Sequence, residues 1–180
     1  MTESEMAKEL TTYTSWDRRQ TDAPVLLLED GPEQLGIFTK ATAEVEGATW
    51  KLDVDKKLGA SATLPDGRVF RAAGNLKKDN RIEASLDGRT FSLINENAGD
   101  WIIDNVDEEK LAQFSSRNNG VRKSIVEFEP GALQELGREE VAALSWFARL
   151  IMEERLAKSS IAIIVTLILL SAVALVTVLL

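Results

Sequence analysis

Short alternating runs dominate the middle of the chain. Between Pro24 and Glu129 no convincing helix exceeds a turn or two, and turn signals recur roughly every 8 to 12 residues. Within the runs, apolar residues occupy every second position, as in Trp50, Leu52 and Val54, which is the period of a strand with one face on a core. The pattern predicts an antiparallel meander that closes as a barrel or a sandwich. The predicted strands are residues 25–28, 35–39, 42–45, 48–55, 58–64, 68–73, 81–86, 89–94, 100–104, 109–115 and 121–129.

A weak internal repeat lies within these runs. It pairs "ATLPDGRVFR" at residues 62–71 with "ASLDGRTFS" at residues 84–92. Asp-Gly predicts a tight hairpin turn in both copies. The aromatic residue two positions beyond the arginine, Phe70 or Phe91, is expected to return to the core face. We interpret the repeat as recurring hairpin chemistry and not as a duplicated site.

The segment "GREEVAALSWFARLIMEERLAKSS", residues 137–160, is rich in helix formers. Its apolar part, residues 141–152, is too short and too closely flanked by charges to span a bilayer. At 100° per residue it is apolar almost all round, with Ser145 and Arg149 as interruptions, so protein must enclose it. Arg149 then needs a carboxylate such as Glu153 or a route to water. The alternative is an amphipathic helix that packs on one face.

A closed barrel offers the enclosure that this helix needs. Eleven strands make a barrel too wide to be filled by its own side chains, and a helix about 10 Å across suits that space. We therefore predict a mainly β protein, an antiparallel closed barrel of about 11–12 strands around a central hydrophobic helix. The predicted barrel covers residues 24–156, with the helix at 138–156 and a polar N-terminal extension over residues 1–23.

Residues 161–180 predict a C-terminal transmembrane helix. Twenty residues without charge, proline or glycine span about 30 Å, the thickness of a bilayer core, and fourteen of them are Leu, Ile or Val. On an insertion scale these favour the membrane by about 4 to 8 kcal/mol. The alternative is a buried helix or an oligomer seam. Residues 157–160 are predicted to be a linker, and the cations before the span, Arg149, Arg155 and Lys158, predict a tail-anchored protein whose N-terminal body is cytoplasmic.

The overall composition narrows the function. A net charge of −8 and a pI near 4.7 argue against nucleic acid as the main partner. The chain has no cysteine and no histidine, so it lacks a thiolate nucleophile, the commonest general base and the commonest zinc ligand. An enzyme is disfavoured and no cofactor is expected. The N-terminus "MTESEMAKEL" carries acids where a signal peptide needs a basic region and an apolar run.

The segment "DWIIDNVDEEK" is the one candidate for a cation site. It offers oxygen ligands of the kind that calcium takes, but their spacing does not match the twelve-residue calcium loop. We favour a solvated turn between two strands over calcium binding and predict no metal. The oxygen-bearing residues are Asp100, Asp104, Asn105, Asp107 and Glu108.

The order of elements resembles the tubby C-terminal-like superfamily, specifically its LURP-one-related and phospholipid-scramblase branch. The resemblance covers residues 24 to about 156 and rests on "LPDGRVFRAAG", the "SLDGRTFSL" hairpin and the charge-flanked "REEVAALSWFARLIM". It implies about twelve strands around a C-terminal hydrophobic helix, and phosphoinositide headgroup binding through Lys and Arg on the barrel. This chain departs from the pattern because an apolar span follows the barrel helix.

Two basic clusters beside turns are the candidate headgroup sites, because cations beside backbone donors suit phosphate. Together with the predicted span, they indicate a membrane-tethered, non-enzymatic module that binds anionic phospholipid headgroups or a protein partner. The alternatives are an acidic, membrane-anchored scaffold without lipid binding, and a carboxylate-based hydrolase or ligand-carrying barrel, which a helix inside the barrel would exclude. The clusters are Lys77, Lys78 and Arg81, and Arg117, Arg122 and Lys123.

Overall fold

Twelve strands and two helices make up the described part of the chain. The computed structural model describes residues 12–17, 19–29, 31–97, 99–115 and 125–179, with the side chains of residues 157–165, 169 and 171–179 excluded. The strands are β1 (Thr12–Asp17), β2 (Val25–Leu28), β3 (Gln34–Phe38), β4 (Thr42–Val45), β5 (Ala48–Asp55), β6 (Gly59–Thr63), β7 (Val69–Ala73), β8 (Arg81–Leu86), β9 (Arg89–Asn97), β10 (Asp100–Asp104), β11 (Lys110–Ser115) and β12 (Val126–Phe128). The helices are α1 (Ala132–Glu135) and α2 (Arg138–Leu179).

The strands form one closed barrel. Each strand pairs antiparallel with its neighbours in sequence, and β1 also pairs with β12, which closes the sheet. At the seam Thr12 lies opposite Phe128, and Thr14 opposite Val126. The predicted antiparallel closed barrel of about 11–12 strands is therefore confirmed. Closure gives each of the twelve described strands a partner on both sides.

The first strand lies in the predicted polar extension. The boundary at residue 24 is wrong, because β1 begins at Thr12 and joins both β2 and β12. Two of the three buried residues of β1, Thr14 and Ser15, are polar, and the third is Trp16. The Thr14 and Ser145 hydroxyls form a buried hydrogen bond of 2.8 Å, and the Ser15 hydroxyl donates to the Glu29 carbonyl at 2.6 Å. A buried hydroxyl with a partner is tolerated, so β1 does not need the apolar alternation by which the other strands are recognised.

Helix α2 fills the barrel. Residues 141–148 are all buried, and eight consecutive helical residues cover more than two turns, so every face of this part is enclosed. The prediction of a helix enclosed by protein is confirmed, and the alternative of a helix packed on one face is wrong. Ring contacts connect it to the wall: Trp146 stacks on Phe38 with centroids 6.3 Å apart, and Phe38 meets Trp50 edge-on at 6.4 Å.

One residue of the predicted core is exposed at the edge of the wall. Trp50 is buried and Leu52 is nearly so, but Val54 is 39% exposed. Strand β4 pairs with β5 only as far as Lys51, so Val54 lies past the edge of β4 and lacks a neighbour on that side. The alternation in the sequence cannot reveal where the neighbouring strand stops.

Helix α2 continues beyond the barrel to Leu179. The predicted linker over residues 157–160 is helical, and the predicted end of the helix at residue 156 is wrong. No glycine or proline occurs in α2 to interrupt it. Most of the side chains of the predicted span at residues 161–180 lie outside the described residues. Within the described residues, no helix combines the length and apolar character needed to cross a membrane.

Candidate functional site

The turns of the meander lie at two opposite ends of the barrel. Because successive strands run in opposite directions, alternate turns lie at the same end of the barrel. Helix α2 starts at the end that carries the β2–β3, β4–β5, β6–β7, β8–β9 and β10–β11 turns. It leaves through the end that carries the other turns, where it contacts Lys56 and Asp79. We call the first the acidic end and the second the basic end, after the charges described next.

Carboxylates crowd the turns of the acidic end. Arg68 is the cation that these turns provide among the described residues, and it is already engaged by Asp66, Asp87 and Glu139. The described acids of these turns and of the segment leading to α2 are Glu29, Glu33, Glu46, Asp66, Asp87, Asp107, Glu108, Glu109, Glu129 and Glu135.

Both arginines of the "DGR" repeat bind the first turn of α2. Arg68 donates to Glu139 at 2.8 Å, and Arg89 donates to Glu140 at 2.8 Å. The repeat therefore supplies two hairpin turns, as interpreted, and in addition two arginines that bind the start of α2. Phe70 and Phe91 are buried as predicted, and the guanidinium groups lie over their rings at 5.7 and 5.3 Å. The hydrogen bonds that Arg68 donates to Asp66 and then to Glu139 raise the pKa of Arg68.

The turns of the basic end carry the opposite charge. Among the described residues of these turns, Asp22 and Asp79 are the acids. The described cations are Arg19, Lys40, Lys56, Lys57, Lys77 and Lys78. The predicted site residues Arg117, Arg122 and Lys123 lie outside the described residues. Ser115 and Val126, which flank that segment, are the β11 and β12 residues nearest the basic end.

The structure separates Arg81 from the two lysines with which it was predicted to form a cluster. Lys77 and Lys78 sit in the β7–β8 turn, where the Asn75 side-chain oxygen accepts both of their backbone N–H groups at 3.1 Å. Arg81 points along the outer wall instead and bonds Glu83 and Ser92. The hydrogen bond that Arg81 donates to Glu83 raises the pKa of Arg81.

A lysine pair that the sequence analysis did not select joins Lys77 and Lys78. Backbone hydrogen bonds connect the β5–β6 and β7–β8 turns: Gly74 donates to Leu58 and Leu76 donates to Lys56, both at 3.2 Å. This brings Lys56 and Lys57 beside Lys77 and Lys78. The sequence could have indicated this pair, because alternate turns of a meander lie at one end and both turns contain two lysines.

These turns are bound to α2 where the helix leaves the barrel. Lys56 pairs with Glu154 at 2.6 Å, and Arg155 donates to the Asp79 carbonyl while its guanidinium lies 4.5 Å from the Trp101 ring centre. Burial lowers the pKa of Arg155. The basic turns therefore surround the exit of α2.

Arg149 satisfies its charge by two contacts at the same end. It pairs with Glu153 at 2.9 Å, as predicted, and its guanidinium lies 4.5 Å from the centre of the Trp16 ring. A cation over an indole face and a carboxylate one helical turn away allow an arginine to remain in a mostly apolar helix.

No family model, curated protein or solved structure matches this chain. A functional proposal therefore rests on the charges at the basic end of the barrel and on the course of α2.

The acidic segment after β9, residues 100–110, contains β10 and the turn that follows it. Asp100 and Asp104 lie at opposite ends of β10, and the Asn105 side chain organises the following turn by accepting the N–H groups of Asp107 and Glu109 at 2.9 Å. Among the described residues, no group of three or more carboxylates could hold a metal ion. Residues 105–109 of the segment are the β10–β11 turn of the acidic end, and residues 100–104 are β10 itself.

Burial raises the pKa of Asp104 above its usual 3.8, and the nearby charges of Glu96 and Glu108 add to this, while Arg81 and Lys110 oppose it. A raised folded-state pKa means that ionisation costs stability as the pH rises through that value. We therefore expect Asp104→Asn to be more stable than the natural chain at neutral pH, with a difference that disappears at acid pH. Urea unfolding at several pH values measures it.

Asp66→Asn is the matched control for Asp104→Asn, and its expected change in stability has the opposite sign. Hydrogen bonds from Arg68 lower the pKa of Asp66, so this substitution should lose stability at neutral pH and converge with the natural chain in acid. The same pH dependence for both variants would contradict the assignment of Asp104.

Proposed function

We propose that this chain is a membrane-tethered, cytoplasm-facing, tubby-like barrel that binds anionic phospholipid headgroups and carries out no chemistry. The observation that carries the proposal is that α2 leaves the barrel through the end whose turns bear lysines and arginines. A tether that continues from this end would hold those cations against the headgroups. Proximity raises their effective concentration, so weak individual contacts suffice.

The tether in this proposal is the segment over residues 161–180. In support, the apolar side chains of Leu167, Ile168 and Leu170 are 57%, 64% and 61% exposed, so the barrel does not cover them. Three large apolar residues within one turn are costly to leave in water and suit a hydrocarbon environment. The cations before the segment favour a cytoplasmic body.

Charge separation explains how an acidic protein could bind an acidic surface. About 18 residues of α2 run from the acidic to the basic end, which is about 27 Å. The Debye length is about 8 Å at physiological ionic strength, so repulsion from the acidic end is screened at the membrane. Each Lys or Arg near an anionic surface contributes about 1 kcal/mol. The cations in the turns of the basic end could then contact an anionic surface locally, although the net charge of the chain is −8.

The two other functions are a protein scaffold and a hydrolase or ligand-carrying barrel. The carboxylates of the acidic end favour a protein scaffold, because in the proposed orientation this end faces away from the membrane. A hydrolase or ligand-carrying barrel would need an interior cavity, and the interior is filled by α2.

Vesicles with the full chain reconstituted test headgroup binding. The chain has no cysteine, so Thr39→Cys and Val106→Cys provide single dye sites at the basic and acidic ends. We expect a headgroup quencher to quench the Thr39 site more in phosphatidylserine-containing vesicles than in phosphatidylcholine alone, and added salt to remove the difference.

Charge reversal provides the matched comparison. Lys57→Glu with Lys78→Glu should shift the headgroup contact at least about tenfold towards the unbound state. Lys51→Glu with Arg71→Glu makes the same charge change on the wall and should have a much smaller effect. Equal quenching of Thr39 in neutral and anionic vesicles would eliminate headgroup binding and leave the scaffold.

A further inference from the structure

A cleft opens beside α2 at the basic end of the barrel. Its volume is about 700 Å³, and it lies between the helix and the turns β1–β2, β3–β4 and β5–β6. Phe38 and Trp146 line it with stacked aromatic rings, while Leu150 and Leu156 provide an aliphatic wall. These four residues give the cleft an apolar strip, and a volume of this order is typical of a small-molecule site.

The cleft results from the architecture of the wall. Strand β4 ends opposite Lys51, so the last residues of β5 have no β4 neighbour, and Val54 is left on the rim of the cleft. Helix α2 rises past this gap as it leaves the barrel. Its side chains Leu150 and Leu156 are only partly covered there.

Charged groups surround the opening. Arg149 and Glu153 pair with each other, as do Lys56 and Glu154. Lys40 and Asp22 are exposed at the rim, and among the described residues Lys40 forms no ion pair. An apolar cleft with a cation at its rim has the chemistry of a site for an anionic amphiphile.

We propose that this cleft takes one acyl chain of an anionic phospholipid from the tethering membrane, with the phosphate beside Lys40. The inference rests on the proposed function, since it needs the basic end at the bilayer surface. Position and charge favour this occupant: the cleft opens at the end from which α2 leaves, among turns whose described charges are mainly basic. The acyl chain is a ligand group in addition to the headgroup of the proposed function.

Photolabelling of the full chain tests the proposal. The chain is reconstituted in phosphatidylcholine vesicles containing phosphatidylserine with a diazirine near the end of one acyl chain. After irradiation, labelled peptides are identified by mass spectrometry. We expect label on peptides that contain Trp146, Leu150 and Phe38, in addition to label within residues 161–180, which serves as the internal reference.

Two rim variants make the test specific. Val54→Trp should fill the cleft, with loss of the cleft label while the reference label is kept. Val106→Trp places the same ring at an exposed valine of the acidic end, 76% exposed, and should change neither label. Lys40→Glu should reduce cleft labelling by the phosphatidylserine probe, but not by a phosphatidylcholine probe with the same acyl chain.

The outcomes separate this inference from the proposed function. Label in the reference peptides without label in the cleft, when the basic end still approaches anionic vesicles, overturns the acyl site and leaves headgroup binding intact. Cleft label that persists unchanged in Val54→Trp also overturns it. Failure of the basic end to approach anionic vesicles overturns the proposed function itself.

Discussion

Phe147→Asp is expected to abolish the cooperative unfolding transition of the barrel. Phe147 is fully buried within the enclosed part of α2, and its ring centre lies 5.2 Å from that of Trp146. Removal of a buried phenyl group costs about 3 to 5 kcal/mol, and an unpaired buried charge adds several more. This sum is comparable with the whole stability of a typical domain, about 5 to 15 kcal/mol. Near-ultraviolet circular dichroism during heating measures the loss.

Leu170→Asp is the matched control for Phe147→Asp. It introduces the same charge on the same helix, at a side chain that is exposed outside the barrel. The melting temperature of the barrel should be unchanged, while sedimentation with membranes after a carbonate wash should be lost. A barrel that melts normally with Phe147→Asp would contradict the enclosure of α2.

Gly59→Ala is expected to destabilise the barrel by at least about 3 kcal/mol. Gly59 has a φ of +116°, and a Cβ atom built there would lie 1.9 Å from the Ala72 carbonyl oxygen. The obstructing atom belongs to the backbone of β7, so no side-chain rotation relieves the contact. The strands β6 and β7 would have to separate. Urea unfolding monitored by tryptophan fluorescence measures the effect.

Gly67→Ala isolates the backbone part of that effect. Gly67 also has a positive φ, +89°, but a Cβ atom there meets nothing within 4 Å. We expect a cost of only about 1 to 2 kcal/mol, that of the left-handed conformation. If both variants lost the same stability, the close approach of Ala72 would not matter.

The strands after residue 24 were accessible from the sequence because apolar alternation and turn chemistry agree there. In β8, for example, Ile82, Ala84 and Leu86 are all buried. The strand β1 was not accessible, because Thr14 and Ser15 are buried through hydrogen bonds whose partners are distant in sequence. Polar burial depends on a partner, and a local pattern of residue types contains no information about distant partners.

The candidate site was predictable only in part for a related reason. Lys77 and Lys78 were recognised because they adjoin a turn, whereas Lys56 and Lys57 join them through hydrogen bonds between two turns. Arg81 is close to Lys78 in sequence, but it has entered β8 and faces Glu83 on the wall. Sequence proximity identifies residues of one turn, while a surface is assembled from several turns by the topology.

The threading of α2 also determines when this protein can fold. The wall closes by pairing Thr12 with Phe128, and the helix that fills it is synthesised only after β12. Until α2 has emerged from the ribosome, Phe38 lacks the Trp146 ring on which it stacks in the folded barrel. Such distant contacts are formed slowly, and unfilled strands are prone to aggregate while they wait. We therefore expect the wall to reach its native packing only after α2 has been synthesised.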